Sequence, residues 1–139
     1  MRLGGVAALL ALVASSPAPA ATLVVRAEGV EPARGTVKVA VCAHSFSEAG
    51  CPWGASRPAR TPDEEVVFEN VPPGRYAVAA YQDVNGNGEL DKVPPGIPTE
   101  PYAFSNDVGR LAPPSFERAL VEVGEGRTII VVRLRRLLR

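Results

Sequence analysis

An all-β fold, antiparallel sheets packed face to face as a sandwich, is what this sequence predicts. Three observations carry the prediction. Apolar and β-branched residues recur in short alternating runs; Gly, Pro and Asn clusters separate those runs at near-regular spacing; and no segment keeps a helical apolar period. A small barrel is the alternative closure of the same runs.

The first twenty residues stand apart. Arg2 supplies a positive start, Leu3 to Val13 an apolar run, and Ala18-Pro19-Ala20 a small-residue cleavage site, the pattern of a secretory signal. Residues 1–20 are therefore expected to be a cleaved signal peptide and residues 21–139 a single sandwich domain. Taking 20 residues from 139 leaves 119, enough for one ordinary core. The apolar run falls short of the roughly 20 residues a bilayer crossing needs, and no later run is long and apolar enough. The expected product is soluble and periplasmic or secreted, with no transmembrane segment after cleavage.

Four strands are read in order: "TLVVRAE" from Thr22, "GTVKVAVCAH" from Gly35, "EVVFEN" from Glu65 and "RYAVAAYQD" from Arg75. "RALVEVGEG" and "RTIIVVRLR" add two more, and the Gly124 to Gly126 turn between them predicts a hairpin. About seven short strands in one domain point to an immunoglobulin-like or transthyretin-like sandwich. Pro72-Pro73-Gly74 fixes a sharp turn before Tyr76, Val78 and Ala80 share a strand face, a segment that resembles the PPG-x-Y hairpin of transthyretin-like and carboxypeptidase-regulatory-like modules.

Cys42 and Cys51 are the only cysteines, and an even pair in an oxidising compartment most simply forms a disulfide. The competing reading, a metal or redox site with His44, matches no common zinc spacing. Loss of Arg2 takes the basic count from 15 to 14 against 15 acidic groups, so the mature chain lacks the positive field that nucleic acid requires.

From Val84 to Glu117 no strand or helix is evident, and a connection of that length is usually functional or tied down. Tyr102, Phe104 and Phe116 are its expected anchors, their rings plugged into one end of the sandwich. Its first part, "DVNGNGELD", spaces oxygens as a calcium loop does. Asp83, Asn85 and Asn87 offer side-chain oxygens, Gly88 the bend, Glu89 its carbonyl, and Asp91 falls ninth. The twelfth position, which should be a bidentate glutamate, is Pro94; Glu100, folding back, is the expected substitute, with Asp107 a further acid in the same loop. A Ca²⁺ site of extracellular strength, Kd of order 10⁻⁴ to 10⁻³ M, is one reading. The other makes Asn85-Gly86 and Asn87-Gly88 plain turn-formers, with no ion.

"FENVPPGRYAVAAYQDVNGNGELD", "GIPTEPYAFSND" and "PPSFERAL" together resemble the bacterial domain-of-unknown-function family 2141, over about Leu23 to Leu134. The resemblance implies a small exported β-sandwich protein with no established activity. Its motif residues here are Asp83, Asn85, Asn87, Gly88 and Asp91, then Gly96, Ile97, Pro98 and Glu100, then Phe104, Ser105 and Asn106. The cysteine pair and Ala103 depart from the usual family pattern, which makes the cysteines a local staple.

Three functions compete. A non-catalytic module, calcium-stabilised, would bind a protein, glycan or envelope component through its loops, with Trp53 as either a ligand platform or a packing anchor. A metal-independent envelope protein would touch anionic lipid through Arg133, Arg135, Arg136 and Arg139, although the favoured reading makes these residues guards of an edge strand. A hydrolase would use Asp83, Asp91 and Glu100 as its carboxylates, but the chain carries no G-x-S-x-G or H-E-x-x-H motif. The expectation is a protein that is not an enzyme.

Overall fold

The computed structural model describes residues 4, 5, 7, 8 and 21–138, so the export-signal reading and Arg139 fall almost wholly outside the described residues. Alternation decides the first strands. β1 (Ala21–Glu28) turns Leu23, Val25 and Ala27 inward, all fully buried, while Arg26 points out to Glu65. β2 (Thr36–Cys42) does the same with Val37, Val39 and Val41. β3 (Trp53–Pro58) follows a single 3₁₀ turn at Glu48–Gly50. Its Gly, Ala, Ser and Pro are poor strand formers, and it exists because it pairs antiparallel with β2 along its whole length, from Thr36↔Pro58 to Val41↔Trp53.

β4 (Glu64–Val71) and β5 (Gly74–Asp83) flank the Pro72-Pro73 turn, which the Tyr76 hydroxyl closes by donating to the Pro72 carbonyl at 2.6 Å. The long middle segment is not structureless as the sequence suggests. It holds β6 (Lys92–Val93) and β7 (Ile97–Pro98), which pair with each other, then β8 (Tyr102–Phe104), a 3₁₀ turn at Ser105–Asp107, and α1 (Phe116–Ala119), one turn capped by Ser115. β9 (Val121–Val123) and β10 (Gly126–Arg133) complete the chain.

Two main sheets form. One has the order β10-β1-β4; the other runs β3-β2-β5-β8, with β9 also on β5. The all-β, antiparallel-rich sandwich predicted from the sequence is the one that forms, with a parallel pair where β1 meets β10. The predicted β9–β10 hairpin does not. β9 lies along Gly74–Tyr76 of β5, whereas β10 crosses to the other sheet, because its inward residues Ile130 and Val132 bury against the core beside β1. Inward faces of both sheets merge in one cluster that includes Leu23, Val25, Phe68, Val78 and Val132. Burying one such side chain contributes ~1.5–3 kcal/mol, so this alternation is the main source of stability. No helix among the described residues is long and apolar enough to cross a membrane.

Candidate functional site

The acidic loop begins where β5 ends, and its base is tightly fixed. Gly35, at φ 64°, lies so close to the Asp83 carbonyl that a Cβ there would meet the oxygen at 1.9 Å; only glycine fits. Beside it, the fully buried Gln82 side chain accepts the Glu31 N–H at 2.9 Å and donates to the carbonyls of Glu31, at 2.7 Å, and Arg34, at 2.6 Å. Glu31 in turn holds Arg136 through two parallel bonds of 2.6 and 2.8 Å, and Arg136 donates to the Thr99 carbonyl at 2.9 Å. The β1–β2 turn, the C-terminal segment and the far end of the loop thus meet at one point. Sequence reading missed Gln82 and Glu31 in this role. Gln82 had a readable signal, since it shares the inward face of Tyr76, Val78 and Ala80, where a polar side chain must find partners.

Within the loop, Asp83 and Glu100 close on backbone N–H groups, and Asp91 on side-chain amides. Asp83, 2% exposed, accepts from Asn87 at 3.2 Å with Oδ1 and from Gly88 at 2.7 Å with Oδ2. Asn85 Oδ1 accepts the Asn87 N–H and Asn87 Oδ1 the Glu89 N–H, while both amide NH₂ groups donate to the Asp91 carboxylate. Glycine is required at position 88, where φ is 82°. Glu100, also 2% exposed, folds back as the sequence suggests, but to the backbone: Oε2 takes the Val84 N–H at 2.7 Å and Oε1 the Asp91 N–H at 2.9 Å. Glu89 itself is exposed.

Side-chain oxygens of Asp83, Asn85, Asn87, Asp91 and Glu100 therefore belong to one knot of hydrogen bonds. Among the described residues no group of three or more His, Cys, Asp or Glu side chains is gathered closely enough to hold a metal ion by itself. The loop's negative charge is felt at Tyr81, whose hydroxyl is pushed above its ordinary pKa first by burial and then by Asp83, Glu100, Glu89 and Asp91. Asp107 stays out of the knot and pairs with Arg110 at 3.0 Å.

The anchors lie elsewhere than at an end of the sandwich. Phe104 and Phe116 both pack on Phe46, at 4.8 and 5.4 Å between ring centroids, and Phe46 and Phe116 belong to a second cluster with Cys42 and Ala77. Cys42 and Ala77 alternate with the inward Val41 and Val78, so that cluster covers the outer face of the β2–β5 sheet. Tyr102 is buried and donates to the Gly109 carbonyl at 2.8 Å. Cys42 and Cys51 form a disulfide beside these rings. Trp53 meets Tyr76 edge-on at 5.5 Å and packs against the main core, which is the anchor reading.

Ser105 and Asn106 explain the rest of the segment. β9 and β8 lie end to end along one edge of β5, and the gap between them leaves Val78 without a strand partner on that side. Ser105 Oγ, fully buried, fills the gap by accepting the Val78 N–H at 2.9 Å and donating to the Ala119 carbonyl. Asn106, in the left-handed region at φ 58°, donates to the carbonyls of Arg118 and Leu120, at 3.0 and 3.1 Å. Of the C-terminal arginines, Arg133 pairs with Glu28 at 3.1 Å and Arg136 with Glu31 at 2.6 Å.

Fold and loop together define a class: an all-β sandwich carrying a carboxylate-clamped, Asn- and Gly-rich loop at one end of its central strand. The chain belongs to the family DUF2141, uncharacterized proteins conserved in bacteria, whose family model matches residues 25–131. No curated protein and no solved structure matches the chain.

Proposed function

We propose that the protein is an exported, non-catalytic β-sandwich module that binds an envelope or extracellular partner, and that Ca²⁺ stabilises its Asp83–Asp91 loop. One observation supports the calcium part above others. The buried carboxylates of Asp83 and Glu100 close on the same short loop as Asp91, and none of the three is in a salt bridge among the described residues. Arg136 is near enough to feel Glu100 but directs its hydrogen bonds to Glu31 and Thr99. Each carboxylate oxygen keeps a second lone pair after accepting one N–H, and a half-turn of the Asn85 and Asn87 amides would exchange their nitrogens for oxygens. Together with the Glu89 carbonyl these atoms supply the hard oxygen set that Ca²⁺ takes.

Scanning calorimetry with and without Ca²⁺ tests this. At a hundred times Kd the ion adds ~2.7 kcal/mol, so Tm rises with calcium and much less with Mg²⁺, which demands a tighter octahedron. Asp83→Ala removes the rise. An unchanged Tm and no binding heat at about ten millimolar calcium, roughly tenfold above the weakest expected Kd, end the calcium reading.

A metal-independent loop is the second reading, favoured by the way Glu100 closes the loop on two backbone N–H groups without help. The same titration separates the two. Catalysis has the least support: the single histidine, His44, lies outside the loop, and the sequence carries no nucleophile motif.

A further inference from the structure

β10 is an edge strand, and its outer edge is only partly closed. Successive residues of a strand turn their N–H and C=O groups to opposite edges. Leu134 donates to Glu28, toward β1, so Arg127, Ile129, Val131, Arg133 and Arg135 face the other way. At the far end that edge is sealed. Arg135 exchanges N–H and C=O bonds with Tyr102 of β8, at 3.1 and 3.2 Å, and Arg110 reaches across to donate to the Arg133 carbonyl. Below this seal, β10 pairs with β1 alone among the described residues. Its edge lines a cleft of about 450 Å³, walled opposite by Phe104, Asn106, Asp107 and Val121.

Side chains on the same residues mark the outer face. Ile129 is 50% and Val131 43% exposed, and Ile129 joins Val67, 48% exposed, in a cross-strand row over the buried Val24. Arg127 stands at one end of this apolar pair and Arg133 at the other. Arg127 forms no salt bridge among the described residues, and Arg133, though paired with Glu28 at 3.1 Å, keeps 65% of its side chain exposed. Antiparallel self-pairing in the register that sets the apolar pair against itself, Ile129 against Val131, would also set Arg127 against Arg133, and like charges directly opposite are destabilising.

We propose that this edge is a docking site for an extended peptide of a partner protein, which adds as a strand beside β10 and carries acidic residues on either side of an apolar pair on its outward face. The backbone of Arg127, Ile129 and Val131 supplies the ladder, Ile129 and Val131 the apolar contacts, and the two arginines the charge selection. The same arginines that discourage self-association thereby select an acidic-flanked strand. The site names the partner class of the binding module proposed above and rests on that reading.

The test uses the mature chain and the synthetic peptide Asp-Thr-Val-Thr-Val-Thr-Asp, capped at both ends, whose sequence reads the same in either direction and so suits either strand polarity. Fluorescence anisotropy with a labelled peptide should show saturable binding, with backbone amide shifts confined to the Arg127–Arg133 edge and its cleft. Replacing both terminal acids of the peptide by lysine should weaken binding at least tenfold, and Arg127→Glu with Arg133→Glu should reverse that preference. Ile129→Pro, which removes an outward N–H but none that pairs with β1, should abolish binding while the near-ultraviolet spectrum stays native. No binding by the acidic peptide, equal binding by the lysine peptide, or concentration-dependent self-association through β10 each overturn the proposal. If the peptide fails while the loop still responds to calcium, the edge assignment falls and the loop reading stands.

Discussion

Glu100 joins the two ends of the acidic loop: one carboxylate oxygen accepts the Val84 N–H at 2.7 Å and the other the Asp91 N–H at 2.9 Å. Glu100→Gln keeps a single acceptor and turns an NH₂ group toward the second N–H, in a place only 2% exposed. The expected cost is ~1–3 kcal/mol, the range for leaving a buried polar group unsatisfied. Because these bonds need no metal, the loss of Tm should persist in excess chelator. A loss seen only when calcium is present would remove the clamp and leave Glu100 a ligand alone.

Ser105→Ala should be as damaging for a different reason. It leaves the Val78 N–H and the Ala119 carbonyl without their partner inside a fully buried gap between β8 and β9. A destabilisation of ~1–3 kcal/mol is expected by urea titration. Hydrogen exchange at Val78 should quicken more than at Val39, whose neighbourhood in β2 is paired on both sides. Ser105→Thr restores the hydroxyl but adds a methyl group to a closed space, so it should recover only part of the loss.

Where burial alternates along the chain, the fold was legible: β1, β2, β4 and β5 follow from inward Leu, Val and Phe at every second residue. β3 was not, because "WGASRP" has weak intrinsic preference and owes its conformation to β2. Gly124 to Gly126 looked like a hairpin turn since local sequence cannot show that β9 and β10 bury against different sheets. Of the loop, the oxygen pattern and the return of Glu100 could be read. The target of that return could not, because backbone N–H groups leave no mark in a sequence. Glu31 and Arg136 lie 105 positions apart, and nothing local couples them.

Cys42 and Cys51 should yield no free thiol when the mature protein is unfolded without reductant. With a sequence separation of 9, the chain-entropy model gives the closed loop at most ~3 kcal/mol. Paired Cys42→Ala and Cys51→Ala should therefore lower Tm yet leave the main core formed, since Cys42 packs with Phe46 and Phe116 on the outer face of its sheet. If two thiols titrate and a metal is released with them, the disulfide is wrong.

Arg136 holds the Glu31 carboxyl below the ordinary glutamate value of 4.5, chiefly by hydrogen bonding and then by its charge, against the opposing effect of burial and with a smaller contribution from Arg34, 3.2 Å away. A depressed carboxylate pKa adds stability that is fully present above 4.5 and is lost as pH falls through the lower, folded value. The pair is about one-third exposed on each side, 31% and 30%, so solvent screening limits its worth to about 1 kcal/mol. At pH 7 Glu31→Gln should thus melt a few degrees below the unaltered protein. Between pH 4.5 and strong acid the two melting curves should converge, because protonated glutamate and glutamine are then alike in charge. Arg136→Gln should show the same convergence, and the double variant should cost less than the sum of the two, since both remove the Glu31–Arg136 pair, while Glu31→Gln also loses the pair with Arg34. Because Arg136 also reaches the Thr99 carbonyl, its variant should loosen the Thr99–Glu100 end of the loop as well, read as faster exchange of the Asp91 amide that Glu100 holds. A melting difference that stays constant from neutral to acid pH would show that the ion pair contributes nothing and that only packing was lost.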